Sequence, residues 1–275
     1  GTLEKLATLT VRDNDTVERI DDFQLLDERF LSNPAFAVEQ CKVVTDRMAE
    51  LTREAIFDAI NLIDGGTYTQ EMADRVEALE TKIDRYEDKL GTYLMKITSK
   101  SLSETQSEEV SKFLHTISDF ERISDHALNI SEAAKEIHDK NLQLSPEACH
   151  ELDVMESAVQ EILNIAVSAF VDNDPQRAAR VEPLEEIIDG LCDEMKSHHV
   201  DRLQSGACTL NQGFVFNDLL TNYERVADHC SNIAVAIIEL ESDSFDTHEY
   251  LSSVRALKSH SFDKYYEEYK QQYHL

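Results

Sequence analysis

Apolar positions recur along this chain at a helical spacing over long stretches. Between Val110 and Leu128, apolar side chains fall at Val110, Phe113, Leu114, Ile117, Phe120, Ala127 and Leu128, one face of a helix. Breakers are scarce, with 7 Gly and 4 Pro in 275 residues, so the predicted helices are long. The first runs from about Ala37 to Ile63 and is ended by Asp64-Gly65-Gly66. The second runs from Thr69 to Thr98. The third starts near Ser101, with Glu104 completing a capping box, and reaches Asp139. A second set follows. Ser145-Pro146-Glu147 reads as a cap followed by a first-turn proline, and Asp174-Pro175 repeats the signal. Pro183 either kinks the next helix or marks its late start. Ser205-Gly206 closes that helix, and Thr209 or Asn211 opens the last long one.

The two sets are copies. Arg75–Asp84 reads RVEALETKID and Arg180–Asp189 reads RVEPLEEIID, an offset of 105 residues. Phe120–Ile130 reads FERISDHALNI and Tyr223–Ile233 reads YERVADHCSNI, an offset of 103. Two motifs in the same order at nearly the same spacing indicate internal duplication. The expected fold is all-α: two tandem three-helix bundles, residues 37–140 and 141–242, with an additional C-terminal helix within 243–275. Residues 1–36 read as a linker or N-terminal segment. The tail carries Tyr250, Phe262, Tyr265, Tyr266, Tyr269 and Tyr273, with a helix start expected at Thr247. It is expected to dock on the bundle or on a second subunit. A three-helix unit of ~100 residues buries a modest core, and packing the two side by side buries more.

Charge narrows the function. Asp and Glu number 55 against 26 Lys and Arg, a net charge of −29. Such a surface repels nucleic acid and anionic lipid and attracts cations and basic protein patches. Cys41, Cys149, Cys192, Cys208 and Cys230 stand alone, without a C-x-x-C, and read as core thiols. No apolar run in the sequence approaches the ~18 residues of a membrane span, so no direct membrane insertion is expected.

Both repeated motifs contain E-x-x-x-D, giving Glu80/Asp84, Glu121/Asp125, Glu185/Asp189 and Glu224/Asp228. Residues i and i+4 share a helix face, and like charges there destabilise a helix by ~0.2–0.5 kcal/mol per pair. Four such pairs in register call for a compensating cation. With Ile117 at zero and ~100° per residue, Glu121 lies at about 40° and Asp125 at about 80°, beside Leu114 and Leu128. The acids therefore flank the apolar face, where carboxylates need a partner or a proton. Two pairs facing each other within a unit would form an all-oxygen site suited to iron, manganese, magnesium, calcium or zinc. The competing reading has the acids paired with Arg75, Arg85, Arg122, Arg180 and Arg225 in a purely structural scaffold. His126 and His229 project about 100° away from the motif Asp, which favours supporting or surface roles. Asn129 and Asn232, one turn beyond, are placed to hydrogen-bond to the ligands, and Asp88 and Asp193 extend the ridge of the second helix of each unit in the same way. His198-His199 reads as surface. A Glu-x-x-His di-metal oxidase is disfavoured, because Ser124 and Ala227 occupy the histidine positions. No nucleophile–base arrangement appears, so no enzyme is expected.

L-E-x-x-I-D followed by E-R-(I/V)-x-D-H-x-x-N-I, each present twice, resembles the PhoU (phosphate-uptake regulator) family over about Val38 to Glu241. The resemblance implies two three-helix bundles and multinuclear iron or zinc clusters held by the eight motif acids. Leu26–Pro34 resembles the segment that joins membrane helices to a PhoU-like tail in sodium/phosphate cotransporters. That implies a regulatory domain on the cytoplasmic side of the plasma membrane, with the membrane domain of the same chain as partner. The alternative is a free-standing cytoplasmic PhoU protein acting on a phosphate ABC transporter and its sensor kinase. A homo-oligomer is compatible with either.

Overall fold

The computed structural model describes residues 22–63, 68–241 and 261–275. Long helices account for nearly all of them: α1 Pro34–Ile63, α2 Gln70–Thr98, α3 Glu104–Asp139, α4 Pro146–Asp172, a single turn α5 Pro175–Ala178, α6 Val181–Gln204, α7 Leu210–Glu241 and α8 Asp263–Gln272. No strand occurs among the described residues. The all-α expectation holds. α1, α2 and α3 pack on one another as the first unit, and α4, α6 and α7 as the second.

Local chemistry sets the boundaries. The capping box of α3 uses Ser103 and Gln106, two residues beyond the expected Ser101 and Glu104; each side chain bonds to the other's backbone N–H. Ser145 caps α4 ahead of Pro146, as expected. Pro183 marks a late start. Without an N–H to donate to residue 179, the stretch equivalent to α2 breaks into α5, capped by Asp174, and α6. Gly206 takes the left-handed conformation, φ 74°, that closes α6.

The units share one core. Phe170 of α4 meets Phe113 and Phe120 of α3 edge-on, with centroids 6.3 and 5.1 Å apart. At the end of α4, Lys42 Nζ donates to the Val171 carbonyl at 3.1 Å and the buried Lys112 to Asn173 Oδ1 at 2.7 Å. Two ammonium groups from the first unit thus satisfy the carboxyl end of a second-unit helix, where the dipole favours them. By length and composition alone α4 is apolar enough for a membrane span, although Glu156 and Glu161 interrupt its apolar run. Its apolar side chains, Leu152, Met155, Val159, Ile162, Leu163 and Phe170 among them, are instead buried in the joint core.

The seam between units is α3 against α7, and it has the symmetry of the duplication. His126 Nδ1 lies 2.9 Å from Asn222 Oδ1, to which Asn129 Nδ2 also donates at 3.1 Å. His229 Nδ1 lies 2.9 Å from Asp119 Oδ1, to which Asn232 Nδ2 donates at 3.1 Å. Asp119 and Asn222 are equivalent at the 103-residue offset. The two imidazoles face each other with centroids 5.7 Å apart.

Both ends dock onto the units. Residues 22–33 form two short 3-10 turns on the first unit rather than a free linker: Phe23 packs on Tyr86, the Tyr86 hydroxyl donates to Asp22, and the Tyr93 hydroxyl donates to the Asp27 carbonyl at 2.8 Å. At the other end, α8 lies on α6 and buries Tyr269 and Tyr273, so the aromatic tail docks on the bundle. The helix start expected at Thr247 and the Asp64–Gly66 stop lie outside the described residues, as do residues 1–21.

Candidate functional site

In the first unit, Val76, Leu79, Ile83 and Tyr86 bury the inner face of α2, and Ile117, Phe120, Ile123 and Ser124 that of α3. Glu80, Asp84, Glu121 and Asp125 stand on the rim of those faces. Glu80 is pushed above the ordinary carboxylate range, first by burial and then by Asp125 and Asp84. Glu121 is raised by burial and by Asp125, with Arg122 opposing and Glu87 and Asp84 adding. Repulsion between α2 and α3 puts the four acids on the same side of the unit, although no three of them offer oxygens within 4.8 Å of one another. Arg122 bridges the α3 pair, 3.5 Å from Glu121 and 3.2 Å from Asp125. Arg75 serves Glu54 and Asp58 instead, leaving the motif acids alone.

The second unit gathers its acids more tightly. Glu185 and Asp189 of α6 and Asp228 of α7 each offer a carboxylate oxygen within 4.8 Å of the other two. Among the described residues, this is the one such trio of acid, thiol or imidazole groups. Burial, then Asp189, Glu182 and Asp228, push Glu185 up to about 7. Asp189 is raised by burial and by Glu224, Asp228 and Asp193. Arg225 Nη1 sits 2.9 Å from Asp228, as Arg122 sits by Asp125.

Glu224 breaks the pattern. Lys196 Nζ donates to it at 2.8 Å and the Cys192 thiol at 3.2 Å. Burial alone would raise this carboxyl, but those two donors hold it below its ordinary value. The fourth acid of the second quartet is thus turned toward a lysine. Neither Lys196 nor Cys192 stood out in the sequence, nor did Glu87 in the first unit. The 105-residue offset is the signal that finds them: it pairs Cys192 with Glu87 and Lys196 with Gly91.

The polar neighbours land differently from expectation. Asn129 and Asn232 bond across the seam instead of to the acids, because one turn along the ridge already faces the other unit. His126 and His229 serve the same seam, in keeping with a supporting role. His198 pairs with the buried Glu151 at 2.9 Å, and Arg202 joins that carboxylate at 2.7 Å. His199 is buried against Phe216, so neither is a bare surface histidine. Cys149 is exposed and Cys208 partly so, which leaves Cys41, Cys192 and Cys230 as core thiols.

With this geometry in hand, the chain was compared with known proteins. The PhoU domain model matches residues 45–134 and 152–237, one match per unit. The chain belongs to the PhoU domain family. A relative, the phosphate-specific transport system accessory protein PhoU homolog 1 of Thermotoga maritima, is 24% identical over 211 residues, covering 76% of this chain and 89% of that one. The crystal structure of PhoU from Pseudomonas aeruginosa has a similar fold: TM-score 0.69, 20% identity, 78% of this chain and 99% of that one. So does the phosphate transport system regulatory protein PhoU from Streptococcus pneumoniae, with TM-score 0.68, 17% identity and the same coverage.

These matches overturn the transporter reading. The relatives are PhoU accessory and regulatory proteins, matched over 89–99% of their own length. The expectation of a sodium/phosphate cotransporter tail, partnered by a membrane domain of its own chain, is replaced by its alternative. It rested on Leu26–Pro34. That stretch is explained by docking on the first unit, where Asp27 caps a turn through Arg29 N–H and Lys96 pairs with Glu28 at 2.6 Å.

Whether these residues suit the metal clusters implied by the family is decided by donor chemistry. Hard cations take several oxygens on flexible carboxylates. The Glu185–Asp189–Asp228 trio supplies three converging oxygens, and its crowding leaves Glu185 reluctant to ionise without a counter-charge. The first quartet supplies four acids with Glu87 beside them. The trio's donor chemistry suits a multivalent cation, while the first quartet is looser, with no three of its acids within the same reach.

Proposed function

We propose that this chain is a free-standing PhoU-type regulator, an accessory to a phosphate-uptake system, whose two carboxylate clusters hold cations. The observation that carries the reading is the duplicated acid quartet on a two-unit PhoU fold. Crowded carboxylates on one face of each unit store repulsion that a multivalent cation relieves. Glu80, Asp84, Glu121 and Asp125 would hold it in the first unit, and Glu185, Asp189 and Asp228, with Glu224, in the second. Iron or zinc is the family expectation, and all-oxygen ligands also accept manganese, magnesium or calcium. When bound, such ions would neutralise the acidic face and change what it presents to a basic partner surface. The regulated partners would be a phosphate ABC transporter and its sensor kinase, both reached from the cytoplasm. The role is regulatory rather than catalytic.

The test is genetic and analytical together. Removing the chain from its host should alter phosphate uptake and the phosphate-starvation response, and the wild-type chain should restore them. A chain with Asp125→Asn and Asp228→Asn should fold, lose tightly bound metal by elemental analysis, and fail to restore regulation. Unchanged phosphate physiology on removal would refute the regulator. Unchanged metal content in the double variant would refute the clusters.

A further inference from the structure

The second cluster carries a lysine that the duplication did not copy. In the second unit Lys196 Nζ lies 2.8 Å from Glu224 Oε2, and the same ammonium acts on Asp189. The equivalent position in the first unit is Gly91, which has no side chain to contribute. Lys82, Arg85 and Lys89 also stand opposite Ile187, Gly190 and Glu194, but Lys82 and Arg85 lie over the rings of Tyr86 and Phe23, and none of the three pairs with a motif acid among the described residues. Cys192 replaces Glu87, which removes an acid, and Glu186 replaces Thr81, which returns one. Arg225 at Asp228 mirrors Arg122 at Asp125. Among the described residues Lys196 is the lysine that pairs directly with a motif acid, and the first unit has no equivalent of it.

The geometry points to Lys196 as a resident counter-ion: its ammonium is bonded to Glu224 and competes with a metal ion for that carboxylate, so the first unit takes up metal more tightly than the second. This deepens the reading of the clusters as cation sites and rests on it. For Glu224 to join Glu185, Asp189 and Asp228, its bonds to Lys196 and Cys192 must break. A cation arriving at the trio also meets a positive charge that the first unit lacks. The arrangement would let one protein respond to metal in two concentration ranges.

The experiment uses the full chain, stripped of metal and titrated with Mn2+, with free ion counted by electron paramagnetic resonance. Wild type should show two classes of site, and Asp228→Asn should remove the weaker. Lys196→Met should strengthen the weaker class about tenfold, a conservative share of the Coulomb energy between unit charges a few ångströms apart, and leave the tighter class unchanged. Lys196→Gln, which keeps a polar side chain at this partly exposed position, should do the same. Gly91→Lys should weaken the tighter class. A Cβ at Gly91 meets nothing closer than Ile117 Cδ1 at 3.7 Å, so this exchange is sterically open. If both Lys196 variants leave both classes unchanged, or if the tighter class is the one lost in Asp228→Asn, the inference is wrong while the clusters stand. If wild type takes up no Mn2+, the cluster reading falls and the inference with it.

Discussion

The two units carry the same motifs on the same helices and solve the resulting repulsion differently. In the first, the motif acids and Glu87 repel one another without closing to a tight trio, and Arg122 is the cation bridging the α3 pair. In the second, three acids close to within 4.8 Å while the fourth is diverted to Lys196 and Cys192. The buried layer beneath diverges as well. Phe120 of the first unit has Tyr223 as its counterpart, whose hydroxyl donates to the buried Glu156 at 2.7 Å. The apolar faces that place α2 on α3 and α6 on α7 persist in both copies. What has drifted is the counter-charge around the acids. Duplication under constraint keeps the geometry of a site and tunes its electrostatics.

The sharpest way to break this comparison is to disable one cluster at a time. Asp84→Asn with Asp125→Asn should abolish metal uptake by the first unit and leave the second intact. Asp189→Asn with Asp228→Asn should do the reverse. Each loss should exceed a hundredfold in affinity, since two of the carboxylate ligands become neutral amides. Elemental analysis after dialysis against a chelator checks it. If either pair empties both units, the clusters are not separate sites. In chelator, Asp189→Asn alone should not lower the melting temperature, because burial and three like charges act on it while Lys196 alone opposes.

The next effect is structural and confined to one unit. Tyr269→Ala removes a nearly fully buried ring from α8, which docks on α6. The expected cost is about 2–4 kcal/mol, the range for large-to-small changes in a core. Hydrogen exchange should show faster exchange in α8 and the start of α6, with α2 unaffected. Equal acceleration in both units would mean that the tail stabilises the fold as a whole. A smaller loss, about 1–2 kcal/mol, is expected for Tyr223→Phe, which takes a hydrogen bond from the buried Glu156. Chemical denaturation measures it, and a change within error would show that Glu156 is satisfied without the hydroxyl.

Much of this was legible in the sequence, for identifiable reasons. Helix spacing, scarce breakers and cap residues such as Ser145 and Asp174 placed the helices, because these signals act within one turn. The repeat picked out the eight motif acids, of which the structure brings Glu185, Asp189 and Asp228 within 4.8 Å of one another and leaves the first quartet looser. The pairing of Glu224 with Lys196 was not legible, because Lys196 lies on another helix, 28 residues away, and no local pattern marks it. The asparagines were misassigned for the same kind of reason: which ridge of α3 faces α7 is decided by packing between units. Leu26–Pro34 misled on function. A short docking segment and a membrane linker use the same residue types, and it is the match to a PhoU accessory protein over 89% of its length that decides between them.

The smallest effect is a pH dependence that should distinguish the units in the metal-free protein. Glu185 titrates at about 7 in the fold, raised by burial and by Asp189, Glu182 and Asp228, against an ordinary value of 4.5. An acid whose folded value is raised binds its proton more tightly in the native state, so folding is favoured while the proton is present. Below pH 4.5 the group is protonated in both states and costs nothing. Between 4.5 and 7 the unfolded chain ionises first and native stability declines; above 7 the full penalty applies. Glu185 is partly exposed, and screening reduces the effect to about 1 kcal/mol. Melting in chelator across pH 4.5–8 should therefore show a decline that Glu185→Gln flattens, the variant matching wild type at pH 4.5 and exceeding it at pH 8. Glu80→Gln in the first unit should change the slope in the same direction, since Glu80 is raised by burial and by Asp125 and Asp84. Adding Mn2+ at pH 8 should erase the advantage of Glu185→Gln, because a bound cation replaces the missing proton. An advantage that persists with saturating Mn2+ would mean that Glu185 is a strained acid with no share in cation binding.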